Sequence, residues 1–198
     1  VGCTNFPNTA AKIASRTLLH AQVASVASVL HGIDIDEPGL ELLRQAGHTA
    51  VFRIDAKRLA EPHPALLPAY DVVLLADVIE HVEDPGDVLL GARSRLRPGG
   101  ELVLSTVNAF YFYGMLRVML GAEVSHPEHV ASYTQSNLRE LFARTGFTVR
   151  ELRGVYEPFE HRGPPVRALK RIESAILALF PGISAGILSV AVPDEAAA

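Results

Sequence analysis

Residues 70–76 (YDVVLLA) form an apolar run that stops at Ala76-Asp77. A strand with one face in water alternates polar and apolar positions. An unbroken run of this length fits a parallel strand covered on both faces. Parallel neighbours need crossover connections, usually helical, and the rest of the chain supplies them. Helix formers fill residues 8–30, with Asn8 or Thr9 as N-cap. A short strand over 29–35 ends in Asp34-Ile35-Asp36-Glu37, Pro38 opens a helix carrying Leu40, Leu42 and Leu43, and Gly47 stops it. Strands follow at 50–54 and 101–106, the second preceded by a helix over 88–96 and a Pro98-Gly99-Gly100 turn. Thr134 caps a helix that ends at Gly146, and a further helix spans 165–180. The last two strands, 147–156 and 187–192, suit an antiparallel edge. The expected fold is α/β: a doubly wound, Rossmann-like, mainly parallel sheet with an antiparallel strand at the C-terminal edge.

The length of 198 residues suits one domain with one sizeable core. A net charge of −4 argues against a general nucleic-acid binder, so no nucleic-acid partner is expected. A single cysteine excludes a disulfide framework and a cysteine-rich zinc site. No apolar run reaches the ~18 residues that span a bilayer, no leader pattern is visible, and a cytoplasmic protein is the default expectation. Val1-Gly2-Cys3 reads as the end of a strand entering a turn. The native polypeptide is therefore expected to be longer, with an N-terminal segment and most of the first strand lying before Val1.

In a doubly wound sheet, ligands bind beyond the carboxyl ends of the strands. Here those ends carry Gly2-Cys3-Thr4-Asn5, Asp34 to Asp36, Asp55-Ala56, Ala76 to His81 and Ser105 to Asn108. A carboxylate after the second strand can accept hydrogen bonds from a ribose diol. An Asp-Ala pair after the third suits an adenine amino group. The Gly-x-Gly-x-x-Gly phosphate cradle is missing, because Gly-Cys-Thr-Asn-Phe-Pro stands in its place. The set fits a ligand with adenosine but no pyrophosphate.

The stretches VGC (1–3), HGIDIDEPGLELLRQAG (31–47), IDAKRL (54–59), YDVVLLADVIEHVEDP (70–85), LRPGGELVLSTVN (96–108) and YTQSNLRELFARTGF (133–147) resemble, in order, those of class I S-adenosylmethionine-dependent methyltransferases of the small-molecule type. The resemblance implies S-adenosylmethionine as cofactor and S-adenosylhomocysteine as product. Gly2 and Cys3 would then lie under the methionine part, Asp34 with its neighbour Ile35 would bind the ribose hydroxyls, Asp55 and Ala56 would face the adenine, and Ala76 would line the cofactor beside the sulfonium. The chain departs from the family at Thr4-Asn5-Phe6, where further glycines are usual.

Asp77, Glu80 and His81 share a face if their segment is a helical turn. Three readings stay open for them: a base or substrate contact, a divalent-metal site completed by His126 or His129, and a capping or packing role. The resemblance extends to relatives that use a Glu-x-x-Glu-His cluster for metal, but a metal is not the favoured reading. His81 and His129 are the candidate general bases. Residues 109–133 and 157–183 are expected to form the acceptor side or lid, with FYFYGMLRVML (110–120) as an apolar wall. The tail helix over 165–180 is amphipathic. It suits a sheet cover or a homodimer contact better than a membrane surface.

The expected activity is O-methylation of a small-molecule acceptor bearing a sugar, quinone or polyketide-type hydroxyl. The alternatives are a catalytically degenerate S-adenosylmethionine-binding scaffold and, from another class, a nicotinamide-dependent enzyme.

Overall fold

The computed structural model describes residues 1–122, 126–155 and 179–194. In chain order the elements are α1 (Thr9–Ala14), α2 (Leu19–Ala24), β1 (Gly32–Asp34), α3 (Glu37–Gln45), β2 (Val51–Arg53), β3 (Tyr70–Ala76), α4 (Pro85–Ser94), β4 (Leu96–Val107), α5 (Phe112–Met119), α6 (Gln135–Arg144), β5 (Phe147–Val155) and β6 (Gly186–Pro193). Short 3₁₀ turns stand at Ala56–Arg58, Ile79–His81 and Pro181–Ile183. The tail-helix expectation and most of the second lid segment lie outside the described residues.

β1 pairs with β2 in parallel, and β3 pairs with β4 in parallel. Residues 1–3 sit between these two pairs. The Val1 nitrogen donates to the Leu74 carbonyl at 2.8 Å, and the Gly2 amide donates to the Ile33 carbonyl at 2.9 Å. A strand end entering a turn is what the residue types at 1–3 imply, and their bonds to both neighbours fit it.

The expected antiparallel edge is present, formed by β5 and β6. The order is β3-β4-β6-β5, with β6 antiparallel to both neighbours. Side-chain chemistry accounts for the position. Ile187 and Ala191 of β6 are fully buried against the sheet core. β5 instead carries Arg150 and Arg153, paired with Glu101 and Glu151, and charges of this kind suit an exposed edge.

Helix boundaries follow local chemistry. The 8–30 segment is two short helices instead of one, because Arg16 takes a left-handed φ of 58° between them. Before it, the Ser15 hydroxyl bonds the Ala11 carbonyl at 2.9 Å, a side-chain bond that competes with helix continuation. α4 starts three residues before the expected 88, since the Asp84 carboxylate caps the Gly86 and Asp87 amides with Pro85 in the first turn. α6 begins at the expected Thr134 with a reciprocal capping box to Asn137. Pro98-Gly99-Gly100 is an irregularity inside β4, where the register jumps from Tyr70↔Leu96 to Val72↔Glu101.

Apolar side chains gather in two clusters. The larger joins Leu75, Leu102, Leu104 and Ile187 of the sheet to Val88, Leu89, Leu138 and Phe142 of α4 and α6. The smaller holds Cys3, Leu18, Leu40, Leu43 and Val51 under α3. Among the described residues no helix is long and apolar enough to cross a membrane.

His20 packs at the smaller cluster, 8% exposed, with its ring edge-on to His48 at 5.2 Å. Burial, reinforced by His48, pulls its pKa down to about 4. Below the usual value near 6.5 the unfolded chain takes up a proton that the folded chain refuses, so stability falls as pH drops from 6.5 toward 4. The accumulated loss is about 3 kcal/mol. Urea unfolding at pH 7.5, 6 and 4.5 should show a shallower decline for His20→Gln than for the wild type. Superimposable pH profiles would contradict the assignment.

Candidate active site

The carboxyl ends of β1 and β3 abut residues 1–3. Gly2 has a φ of 68° and nests on the end of β3: a Cβ there would stand 2.6 Å from the Val78 side chain and 3.2 Å from the Ala76 carbonyl. The glycine is therefore needed to seat the turn on the strand. The Cys3 side chain turns into the smaller apolar cluster, and burial lifts its thiol pKa to about 12, so it stays protonated.

Asp34 ends β1. Its Oδ2 accepts from the Thr4 amide and the Thr4 hydroxyl, both at 2.9 Å. Its Oδ1 accepts from the Ile35 amide at 2.8 Å and the Asp36 amide at 3.1 Å. The Ile35 side chain is exposed. Asp55 follows β2 and caps the next turn by accepting from the Lys57 amide at 2.9 Å, and Ala56 packs half-buried against the larger core.

Beyond Ala76 the chain turns sharply. Asp77 adopts a φ of 51°, a left-handed conformation that Asp tolerates better than most residues. Ser105 of β4 holds it there: the Asp77 amide donates to the Ser105 carbonyl at 3.0 Å, and the Ser105 hydroxyl donates to Asp77 Oδ1 at 2.9 Å. The Ile79–His81 turn then sends Glu80 inward and His81 outward. Glu80 is fully buried. Its Oε2 accepts from the Thr106 hydroxyl at 2.9 Å, whereas its buried Oε1 has no hydrogen-bond partner among the described residues. Burial pushes the Glu80 pKa up, and the Asp77 charge adds to the shift.

The segment after α5 closes onto this turn. The Val130 amide donates to the Glu80 carbonyl at 2.9 Å, and the buried Tyr133 hydroxyl donates to the Ile79 carbonyl at 3.2 Å. The His129 ring thereby lies 4.8 Å from the His81 ring and 4.9 Å from that of His126. His81 Nδ1 stands 3.1 Å from the Glu128 carbonyl. A carbonyl only accepts, so Nδ1 carries the hydrogen and Nε2 is the basic nitrogen. Burial lowers the His129 pKa, and its two histidine neighbours lower it further. Glu80, His81 and His129 each offer a ligand atom, and these atoms lie within 4.8 Å of one another. Asp77, grouped with Glu80 and His81 by sequence spacing, is instead tied to Ser105 and outside that trio.

The structure thus brings His81 and His129 together, and it sets Gly2, Asp34 and Ala76 around one junction. Spacing alone missed two contributors. Thr106, which supports the buried acid, lies on another strand, and only its position at the end of 101–106 hinted at it. Thr4 stood out only as a departure from glycine.

A protein-family model described as a methyltransferase domain matches residues 16–152. The chain belongs to this family. The chain is 28% identical over 151 residues to a ubiquinone biosynthesis O-methyltransferase of a Shewanella species, covering 71% of this chain and 64% of the relative. It is 30% identical over 159 residues to the Leptothrix cholodnii protein of the same name, covering 73% of this chain and 66% of that one. The chain spans just under two thirds of the length of these relatives. A crystal structure of an S-adenosylmethionine-dependent methyltransferase from Archaeoglobus fulgidus superposes with a TM-score of 0.55 at 17% identity, covering 81% of this chain and 74% of that one. This likeness establishes the shared class I fold.

The buried acid gives this site its test. Thr106→Val removes the side-chain hydrogen bond that Thr106 gives the Glu80 carboxylate and should cost about 1–3 kcal/mol of stability. Thr106→Ser should restore it. Equal urea midpoints for wild type and Thr106→Val would show that the bond contributes nothing.

Proposed function

We propose that this chain transfers the methyl group of S-adenosylmethionine to a hydroxyl oxygen of a small quinone-type acceptor. The observation that carries this reading is the pair of imidazoles, His81 and His129, just beyond β3, on the same chain stretch as the junction of Gly2 with Ala76. The names of the relatives support hydroxyl oxygen as the target and a quinone precursor as the acceptor class.

The donor set at the strand ends fits the cofactor: a carboxylate at Asp34 for the ribose, Asp55-Ala56 for the adenine, and a nested turn at Gly2-Cys3 beside Ala76 with no phosphate cradle. Ile35 flanks the same ribose position. S-adenosylmethionine supplies an electrophilic methyl on a sulfonium, so attack by oxygen needs in-line positioning more than covalent help from the protein. His129 is the residue we assign as general base. Its lowered pKa keeps the ring neutral and able to accept the hydroxyl proton near neutral pH. His81, oriented by the Glu128 carbonyl, presents Nε2 to the same space and assists as a second acceptor. Residues 109–122 and 126–133 form the acceptor side, with Phe110, Leu116 and Val130 as its exposed apolar surface.

A second reading has one specific observation in its favour, the buried Glu80 oxygen that has no partner among the described residues. With His81 and His129 it would hold a divalent cation. Two imidazoles and one carboxylate suit a transition metal such as Zn²⁺ better than Mg²⁺, which prefers oxygen ligands. Such an ion would acidify a bound hydroxyl.

Methyl transfer from labelled S-adenosylmethionine to a panel of catechols and hydroquinones separates these readings. With His129 as base, His129→Ala should lower kcat by about 10²–10⁴-fold, leave S-adenosylhomocysteine affinity unchanged, and activity should persist in EDTA. Loss of activity in EDTA, restored by Zn²⁺ or Mn²⁺, would favour the metal reading. Cofactor binding with no transfer to any acceptor would count against both.

A further inference from the structure

We propose that Thr4 is a positioning residue that competes with the cofactor ribose for Asp34 and so sets how tightly the cofactor is held. The inference rests on the reading that Asp34 binds the ribose.

A carboxylate has about four lone-pair sites. At Asp34 all of them are engaged: Oδ2 by the Thr4 amide and hydroxyl, Oδ1 by the Ile35 and Asp36 amides. The Ile35 and Asp36 bonds are local to the strand end. The two Thr4 bonds cross 30 residues of sequence and join the turn after residue 3 to β1. A ribose hydroxyl that donates to Oδ2 must therefore displace a Thr4 donor, and the hydroxyl is the one that a side-chain rotation can release.

That rotation is opposed. α3 packs its Gly39 backbone against Thr4 so closely that a Cβ on Gly39 would stand 2.9 Å from both Thr4 Cβ and Cγ2. The methyl group is thus seated against α3, and the branched side chain has few other rotamers. The turn is pinned further along as well, where the Asn5 amide donates to the buried Thr9 hydroxyl at 2.9 Å. The ribose gains one charge-assisted hydrogen bond while the protein gives up another, so the exchange lowers the net affinity. The product carries the same ribose, and its release is eased by the same exchange. A glycine at this position has no hydroxyl to offer, so the latch is a property of Thr4.

Thr4→Val keeps the branched shape against Gly39 and removes the hydroxyl. It should tighten S-adenosylhomocysteine binding by about three- to tenfold, the size expected of one hydrogen bond. The change should fall in KM for S-adenosylmethionine and not in kcat. Thr4→Ser should restore the weaker wild-type binding. In an Asp34→Asn background Thr4→Val should give no gain, because the contested carboxylate is gone. Thr4→Ala is the second variant should the valine fail to fold, with thermal melts confirming a native chain. Unchanged or weaker binding by both Thr4 variants, or a gain that persists with Asp34→Asn, would overturn the latch. If Asp34→Asn alone leaves S-adenosylhomocysteine binding intact, the ribose reading itself fails. If Asp34→Asn weakens binding while Thr4→Val does not tighten it, the latch alone fails.

Discussion

The carboxyl group of Glu80 is the constraint on which the site depends. An acid with no exposed surface must be stabilised where it sits or be expelled. Here the surrounding structure holds it through Thr106 from β4, while the residue's own carbonyl receives the amides that tie down residues 130 and 131. The end of β3, the end of β4 and the segment after α5 therefore meet at one residue. His81 and His129 are 48 positions apart in the chain and become neighbours only because that meeting is enforced.

Two halves of the site share one short stretch, residues 76–81. Its first part adjoins Gly2 at the junction proposed for the cofactor; its last part carries the imidazole pair. Asp77 lies between them in a left-handed conformation of a kind that costs of order 1–3 kcal/mol and persists where neighbours over-determine it. Ser105 supplies that restraint with two hydrogen bonds.

Much of this was legible in the sequence, for reasons that are local. The unbroken run at 70–76 marked a covered strand, Thr134 and Gly146 marked the ends of one helix, and the residue after each run marked the rim of the sheet. What was not legible was set by partners distant in sequence. The split of residues 8–30 hinges on Arg16, which no periodicity flags. The inward position of β6 depends on a choice between two strands of similar length, decided by the charges of β5 against the buried face of β6. The spacing of Asp77, Glu80 and His81 suggested a shared face, but the left-handed Asp77 breaks the helical geometry on which that spacing relies. Thr4 was visible as an oddity, and its partner on β1 was not.

The place of β6 also bears on how the chain is made. Residues 186–193 follow both of their sheet neighbours in sequence, yet they lie between β4 and β5. Until they emerge from the ribosome, the edges of β4 and β5 that β6 will pair lack that partner. The parallel half can assemble early from connections already synthesised, while the other half waits for its central strand. During that interval a nascent chain would be most open to chaperone capture or to pairing with another copy. This strand is thus the keystone of its half of the sheet in time as well as in space.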